Sequence, residues 1–481
     1  MIHPALQRGF AVVLAACLMA SCNAGKGTEP MPIAARPSVS IWSSSIDQSR
    51  KLTPAAPIEL TLAGAAQAGE VVIDPTDQRQ DVVGFGAAMT DASAHLFQNV
   101  LTGAERESLF SELFGKNGLG ISFVRVPIGA SDFSSEHYSL DDMPAGQTDP
   151  ALTHFSMARA EKAQIPALKA ARAVNPDITL MASPWSAPAW MKTSGSLIKG
   201  NLKPEHYGAY ARYFVRYLDA MEAAGLPVRY VSLQNEPDFE PADYPGMRAG
   251  PAERAAMIGG HLGPALAARG RKVGILEWDH NWDKPEQPLA VLADPAARAH
   301  IEGVAWHCYG GNPDVMEQVK QAYPDKELFF TECSGGDWAP DWGGTLEWMT
   351  DSLIIKTVRA GGKGAILWNL ALDQNKGPHL GGCANCRAVV SIDTRTRAVT
   401  RNVEYYVLGH VSRFVRPGAR VLASSGGPEG LKFAAFRNPD GQMVLLAHNA
   451  TKGDLPVSVK AGTSRFGLSM PAGEVTTFVW R

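Results

Sequence analysis

Two glutamates each end an apolar run, Glu236 in Val231-Ser-Leu-Gln-Asn-Glu-Pro237 and Glu332 in Leu328-Phe-Phe-Thr-Glu-Cys333. Burying a carboxylate is costly unless it is paired or put to use, so acids delivered by two core-forming segments are candidates for chemistry. Hydrolysis of a glycosidic bond with retention of configuration asks for two such acids. One, protonated, assists the leaving oxygen, and the other, ionised, attacks the sugar, with the pair roughly 5–5.5 Å apart. Asn235, beside Glu236, fits the same chemistry, because an amide there can hydrogen-bond a sugar 2-hydroxyl as charge develops on the ring. By itself Asn-Glu-Pro reads equally well as a strand end that caps the next helix; Glu332, three strands further on, tips the balance. An arginine such as Arg125 is a natural neighbour for Glu332, since a nearby cation keeps a nucleophile ionised.

The elements that must deliver these acids are visible as eight strand-like runs, at 82–89, 122–129, 179–185, 229–235, 272–279, 303–309, 327–333 and 364–370, separated by helix-like stretches. One stretch, 204–224, repeats Tyr207, Tyr210, Phe214, Tyr217, Leu218 and Met221 at three- and four-residue steps, as a buried helix face does. This alternation predicts an α/β fold, a (β/α)8 TIM barrel spanning 76–414. Barrel chemistry sits where the strands end. Those ends carry Asp91, Trp185, Asn235, Glu236, Asp279, His280, His307, Tyr309, Glu332 and Trp368. Trp185 and Trp368 read as pocket-lining or sugar-stacking residues, whereas Trp190 reads as readily as a core aromatic. His307 and Tyr309, two apart on one strand face, are expected to contact substrate and to donate a hydrogen bond to the nucleophile, respectively.

After about residue 415 the pattern becomes short alternating runs at 431–437, 442–449, 455–460, 465–470 and 475–480, with the turn sequence Asn438-Pro-Asp-Gly441 joining the first two as a hairpin. Residues 415–481 therefore predict an antiparallel β-domain, to which strands in 39–75 are expected to add from the other chain end. At the N-terminus, Arg8, the apolar stretch 10–20 and Leu18-Met-Ala-Ser-Cys22 predict a lipoprotein-type export signal over 1–22, followed by a Gly/Pro/Ala-rich linker over 23–38. The expected location is outside the cytoplasm, periplasmic or at the cell surface, with membrane contact only through lipid on Cys22.

With 481 residues, 45% of them hydrophobic, and a net charge of −3, the chain can bury a large core and offers no global electrostatic attraction for nucleic acid. Neither His-Glu-x-x-His nor Gly-x-Ser-x-Gly occurs, so zinc and serine hydrolysis lack their motifs, and no cofactor or metal is expected. Of six cysteines, Cys308, Cys333, Cys383 and Cys386 fall in the folded region, and their pairing is open. Cys383-Ala-Asn-Cys386 is half of a zinc motif without its other half, so a local disulfide is the better reading in an exported chain.

Gly84-Phe-Gly-Ala-Ala-Met-Thr-Asp-Ala92, Ala182-Ser-Pro-Trp-Ser-Ala-Pro-Ala-Trp-Met-Lys-Thr193, Gln234-Asn-Glu-Pro237, Thr331-Glu-Cys-Ser334, Trp368-Asn-Leu-Ala-Leu372 and Gly409-His-Val-Ser-Arg-Phe-Val415 together resemble glycoside hydrolase family 30, and within it the glucosylceramidase branch. The resemblance implies a barrel with a side β-sandwich built from both chain ends, retention of configuration and no cofactor. It implies Glu236 as acid/base, Glu332 as nucleophile, and Asp132, Trp185, Asn235, Tyr309 and Trp368 around the glucose, with His307 in the pocket. The expected activity is hydrolysis of a β-glucoside, glucolipid or β-glucan, with glucosylceramidase type first. An endo-β-1,6-glucanase or β-xylosidase is the alternative, and a lipid-anchored glycan-binding protein the non-enzymatic one. Cys308 stands where the lysosomal enzymes have Trp, and loop 377–386 differs from theirs, which bears on the leaving group.

Overall fold

Eight parallel strands hydrogen-bond into one sheet in a computed structural model that describes residues 37–270 and 272–481. They are β1 (Gly84–Ala88), β2 (Phe123–Ile128), β3 (Thr179–Pro184), β4 (Val228–Ser232), β5 (Gly274–Asn281), β6 (Ile301–His307), β7 (Glu327–Glu332) and β8 (Gly362–Asn369). The ladder runs from β1 through β8 back to β2. Between β1 and β2 the barrel is closed by Met89 N–H to Arg125 O at 2.9 Å and Ser122 N–H to Phe85 O at 3.1 Å. Gly86 permits that seam, because a Cβ there would lie 2.1 Å from Phe123 O. Helices cover the outer face of the sheet and side chains fill the inner one, which is why the strands read as continuous apolar runs rather than alternating ones. The expected α/β barrel is the fold observed, although β4 stops at Ser232 and leaves Asn235 and Glu236 beyond its end.

Period-two alternation builds the barrel interior in layers. Phe123, Met181, Tyr230, Leu276, Ala305, Phe329 and Ile366, one from each of β2 to β8, pack into an apolar cluster. Tyr230 and Phe329 meet at 4.9 Å between ring centroids and seal it. Two residues further along the same strands come Arg125, Ser183, Ser232, His307, Thr331 and Trp368. An apolar plug thus carries a polar layer directly above it.

A second sheet has ten strands, with Ser38–Ser44 hydrogen-bonded between Thr53–Glu59 and Val475–Trp480, and Val71–Asp81 between Arg420–Gly426 and Leu455–Ala461. Both chain ends therefore enter one β-sandwich, whose core includes Val39, Ile73, Leu445, Phe466 and Phe478. Leu431–Arg437 and Met443–Asn449 form the expected hairpin, Arg437 opposite Met443. The helix Val403–Ser412 joins barrel and sandwich through His410, fully buried, whose Nδ1 meets Thr477 Oγ1 at 3.0 Å and whose Nε2 meets Ser44 Oγ at 2.8 Å. Burial lowers His410 to about 3, so the ring is neutral and shares one donor and one acceptor with the two hydroxyls. The export signal, Cys22 and most of the linker lie outside the described residues. Among the described residues no helix is long and apolar enough to cross a membrane.

Gly86→Ala forces a methyl group against the Phe123 carbonyl and is expected to destabilise the barrel by about 1–3 kcal/mol or more. Thermal unfolding should show a melting temperature lower by several degrees. An unchanged transition would mean that the seam tolerates the wider spacing.

Candidate active site

Arg125 and Asp279 form a fully buried floor at the strand ends, behind the residues that line the cavity. Asp279 Oδ2 accepts from Arg125 Nη2 at 2.7 Å, Ser183 Oγ at 2.8 Å and Ser232 Oγ at 2.6 Å, while Oδ1 takes Thr331 Oγ1 at 2.8 Å and His307 Nε2 at 3.0 Å. Asp279 reaches this polar layer through a bulge. Ala305 of β6 pairs with Trp278 and Trp306 with His280, which leaves Asp279 as the extra residue. Trp278 and Asp279 accordingly adopt positive φ, 74° and 52°. Although burial opposes it, Arg125 and His307 hold the Asp279 carboxyl far below the usual carboxylate range.

The two glutamates meet above this floor. Glu332 ends β7 after a register slip at Thr331 that sets it opposite His307; it accepts from Arg125 Nη1 and, at 3.0 Å, from the Tyr309 hydroxyl. Glu236 sits past the end of β4 in a left-handed turn, φ 50°, its N–H donating to Asp279 O at 3.1 Å. A carboxylate oxygen of Glu236 lies within 4.8 Å of one of Glu332. Asn235 has its N–H on Pro184 O at 2.8 Å and its Oδ1 on Arg125 Nη2 at 2.7 Å, which turns its amide NH2 outward.

Electrostatically these groups are one cluster. Burial pulls His307 down, yet the carboxylates of Glu332, Asp279 and Glu236 outweigh it and hold the imidazole up at about 9, so it is a cation donating to Glu236 Oε1 at 3.1 Å as well as to Asp279. Burial outweighs the pull of His307 and Arg125 and raises Glu332, whereas at Glu236 it is outweighed by His280, His307 and Arg125, which hold that carboxyl below its ordinary value. Two cations, Arg125 and His307, thus face three carboxylates, Asp279, Glu236 and Glu332. Near-neutrality in a dry site leaves one proton on the glutamate pair. Taken singly, those directions would put the proton on Glu332; the hydrogen bonds put it on Glu236, because Glu332 receives two donors, an arrangement suited to a carboxylate, whereas Glu236 receives one from His307 and retains an oxygen to carry the proton.

The cavity, about 480 Å³, is lined by Asp132, Trp185, Asn235, Glu236, Tyr309, Glu332 and Trp368, seven of the eight residues expected from sequence. His307 is the exception: fully buried behind Glu236, it contacts the acid rather than the cavity. Trp185 and Trp368 stack at 5.0 Å, with the Arg125 guanidinium 4.8 Å from the first ring. Trp190 is a core residue, its indole N–H 3.0 Å from Asp141 Oδ2. Asp132 is buried without a cation, and burial together with the charges of Glu332 and Glu236 pushes it well above its ordinary value.

Loops supply the residues that periodicity could not reveal: Phe239, Asp243 and Tyr244 after Glu236, and Trp338 after Glu332. Phe239 and Trp338, like the expected Tyr309, are about half exposed there, a concentration of open aromatic surface that only the folded loops bring together. Loop 377–386 crosses to Asp132, where Leu380 N–H donates to Asp132 O at 2.9 Å, and the expected Cys383–Cys386 disulfide staples it. Cys308–Cys333, the pairing that sequence left open, ties the end of β6 to that of β7. Among the described residues, Glu236, His307 and Glu332 form the one group compact enough to hold a metal ion. Both His307 nitrogens face carboxylates and Arg125 lies against Glu332, so these donors suit neutral chemistry better than a cation.

Residues 82–415 match the glycosyl hydrolase family 30 TIM-barrel domain, and residues 418–478 the glycosyl hydrolase family 30 beta sandwich domain. An endo-1,6-β-D-glucanase of Aspergillus fumigatus is 34% identical over 86% of this chain and 88% of its own. The lysosomal acid glucosylceramidase of Mus musculus is 28% identical over 98% of this chain and 94% of its own. The solved structure of an endo-β1,6-glucanase superimposes with a TM-score of 0.86 at 31% identity, covering 92% of this chain and 99% of that one.

Arg125→Met leaves the buried Asp279 with His307 as its one cation and is expected to cost about 3–5 kcal/mol. Arg125→Lys keeps the charge but lacks the fork that reaches Asp279, Asn235 and Glu332 together, so it should fold more stably than the Met variant and still hydrolyse at least about tenfold more slowly than wild type. Denaturant titration and initial rates check both. A lysine variant with full activity would show that charge alone suffices.

Proposed function

The chain belongs to glycosyl hydrolase family 30 and is an O-glycosyl hydrolase, and from that premise we propose that it cleaves β-glucosides of primary alcohols, β-1,6-glucan foremost, with retention of configuration. The observation that carries the stereochemistry is the approach of Glu236 and Glu332 to within 4.8 Å. An inverting pair stands about 6.5–9.5 Å apart, leaving room for a water that this gap would not admit.

In the first step a Glu332 oxygen attacks the anomeric carbon as Glu236 gives its proton to the departing oxygen, leaving a glycosyl ester on Glu332. In the second, Glu236 takes a proton from water, the resulting hydroxide attacks the anomeric carbon from the opposite face, and Glu332 leaves as carboxylate. Arg125 and Tyr309 stabilise Glu332 as the ion it must be before attack and after release. His307 fixes the Glu236 carboxyl. The outward NH2 of Asn235 is free to donate to the sugar 2-hydroxyl, and Asp132, held neutral, can donate to an outer hydroxyl. Trp185 and Trp368 offer apolar ring surface to the sugar.

The leaving oxygen in a β-1,6-glucan and in glucosylceramide is borne by a primary carbon, so one acid geometry serves either. Endo-1,6-glucanase relatives at 31–34% identity favour the polysaccharide over the 28% identical glucosylceramidase. The half-exposed aromatics at the mouth are surfaces on which a further sugar ring can stack. The same apolar mouth keeps the glucolipid as the second reading. Export and anchoring at Cys22 would bring the enzyme to extracellular glycans, and the two disulfides favour an oxidising compartment.

Glu332→Gln is expected to abolish turnover of every β-glucoside. Glu236→Gln should lose at least about a thousandfold on β-1,6-gluco-oligosaccharides and recover much of that on an aryl β-glucoside whose leaving group needs no proton. Near-wild-type rates on the unactivated substrate would remove the residue concerned from its role. In a panel of β-1,6-glucan, glucosylceramide and aryl β-xyloside, the first should show the highest kcat/KM; a preference for the lipid would reverse the substrate order proposed here.

A further inference from the structure

Lys192 follows the turn Ala189–Met191 in the loop after β3 and is fully buried. A buried ammonium is costly unless its protons are used. Here all three are: Ser186 Oγ, Leu197 O and Gly246 O each accept at 2.8 Å, and none of them is charged. The acceptors come from three places. Ser186 is next to the pocket residue Trp185, Leu197 belongs to the same long loop further on, and Gly246 closes the loop that starts at Glu236. Gly246 N–H also donates to Leu197 O at 3.0 Å, so the two loops meet at the ammonium. Gly246 is required by a close approach, since a Cβ there would lie 2.3 Å from the Pro241 ring.

Between Glu236 and Gly246 lie Phe239, Pro241, Ala242, Asp243 and Tyr244, which form one lip of the cavity. Phe239 is half exposed, so apolar packing alone does little to hold this lip. We propose that Lys192 is a positioning residue that fastens the lip following Glu236 to the loop following Trp185, and thereby sets the leaving-group side of the pocket. The role rests on that pocket being the β-glucosyl site.

The fastener has a pH signature. Burial lowers Lys192 to about 7, only partly offset by Glu240, whose carboxylate accepts from Gly200 N–H at 2.8 Å. On the same lip, against the effect of burial, Lys284 and Arg248 hold Asp238 below its usual range. An opened lip returns the amine to water, where its pKa is near ~10.4. The open form therefore binds one more proton than the closed form between about 7 and that value, and rising pH favours closure across this window. Below about 7 both forms are protonated and the balance is flat.

Hydrogen exchange on the full chain, followed by mass spectrometry from pH 6 to 8.5 and corrected for intrinsic rates, tests this. In the wild type, opening of the segments 194–200 and 237–247 should fall by about tenfold per pH unit above about 7, with no such trend in the sandwich. Lys192→Met should lose protection in both segments and the pH trend with it. Its KM for an aryl β-glucoside should rise about fivefold or more while kcat stays within about twofold. Lys192→Arg, which keeps donors but not their reach, should restore part of the protection. A methionine variant with wild-type protection and KM overturns the proposal. If the methionine variant fails to fold, Lys192→Arg decides, since wild-type protection of both segments and wild-type KM in it would equally overturn the proposal. A wild type that cleaves no β-glucoside would sink the functional reading while the exchange data still judge Lys192.

Discussion

A guanidinium and a carboxylate that never meet water, Arg125 and Asp279, hold the mouth of this barrel together. Desolvating such a pair costs several kcal/mol per ion, and attraction alone seldom returns a surplus. What the pair supplies is geometry. Asp279 accepts five hydrogen bonds, from β2, β3, β4, β6 and β7, and so cross-braces the interior where an apolar layer could only fill it. Arg125 spends its remaining donors on Glu332, Asn235 and Ser183. The positions of both glutamates follow from that floor, Glu332 through Arg125 directly and Glu236 through His307 and the backbone of Asp279.

Reaching this arrangement costs backbone strain. Glu236, Trp278 and Asp279 all have positive φ, each worth roughly 1–3 kcal/mol for a residue other than glycine. The strain is retained because neighbours over-determine it. Beneath the bulge, Arg254 donates to Glu277 at 2.8 Å, lies 5.2 Å from the Trp278 ring and donates to Ala249 O at 2.6 Å, so one side chain braces β5 and the end of the loop from Glu236. Alternation without the bulge would turn Trp278 into the polar layer and Asp279 outward, leaving Arg125 with Glu332 as its one buried carboxylate.

Much of this was legible in the chain. Lone acids at the ends of apolar runs marked Glu236 and Glu332, strand–helix alternation marked the barrel, and Asn438-Pro-Asp-Gly441 marked the hairpin. Alternation also turned His307 inward. It could not say whether the ring would meet sugar or acid, because that depends on the bulges that align β5, β6 and β7. Asp132 came from family resemblance alone, since the loop after β2 has no period to read. The Cys308–Cys333 pairing, 25 residues apart, depends on β6 and β7 being neighbours, which spacing does not encode. Phe239, Tyr244 and Trp338 sit on long loops, whose paths no sequence period reveals.

Charge balance links floor and pocket. Arg125 and the His307 imidazolium offset Asp279 and one glutamate, so the second glutamate keeps a proton without any external cation. Asp132 adds a fourth carboxyl to the same site with no positive charge left to answer it, and burial and the charges of Glu332 and Glu236 push it well above its ordinary value, toward the neutral form. The four acidic side chains Asp279, Glu236, Glu332 and Asp132 therefore leave the inner end of the pocket close to neutral, with Asp243 out on the lip. That is the electrostatic condition for a neutral sugar: the dry site strengthens each hydrogen bond to its hydroxyls without the penalty that an unbalanced negative field would impose. In the double-displacement reading, the charge that matters arises only as the glycosidic bond breaks, when the proton leaves Glu236 and positive charge grows on the ring beside Glu332.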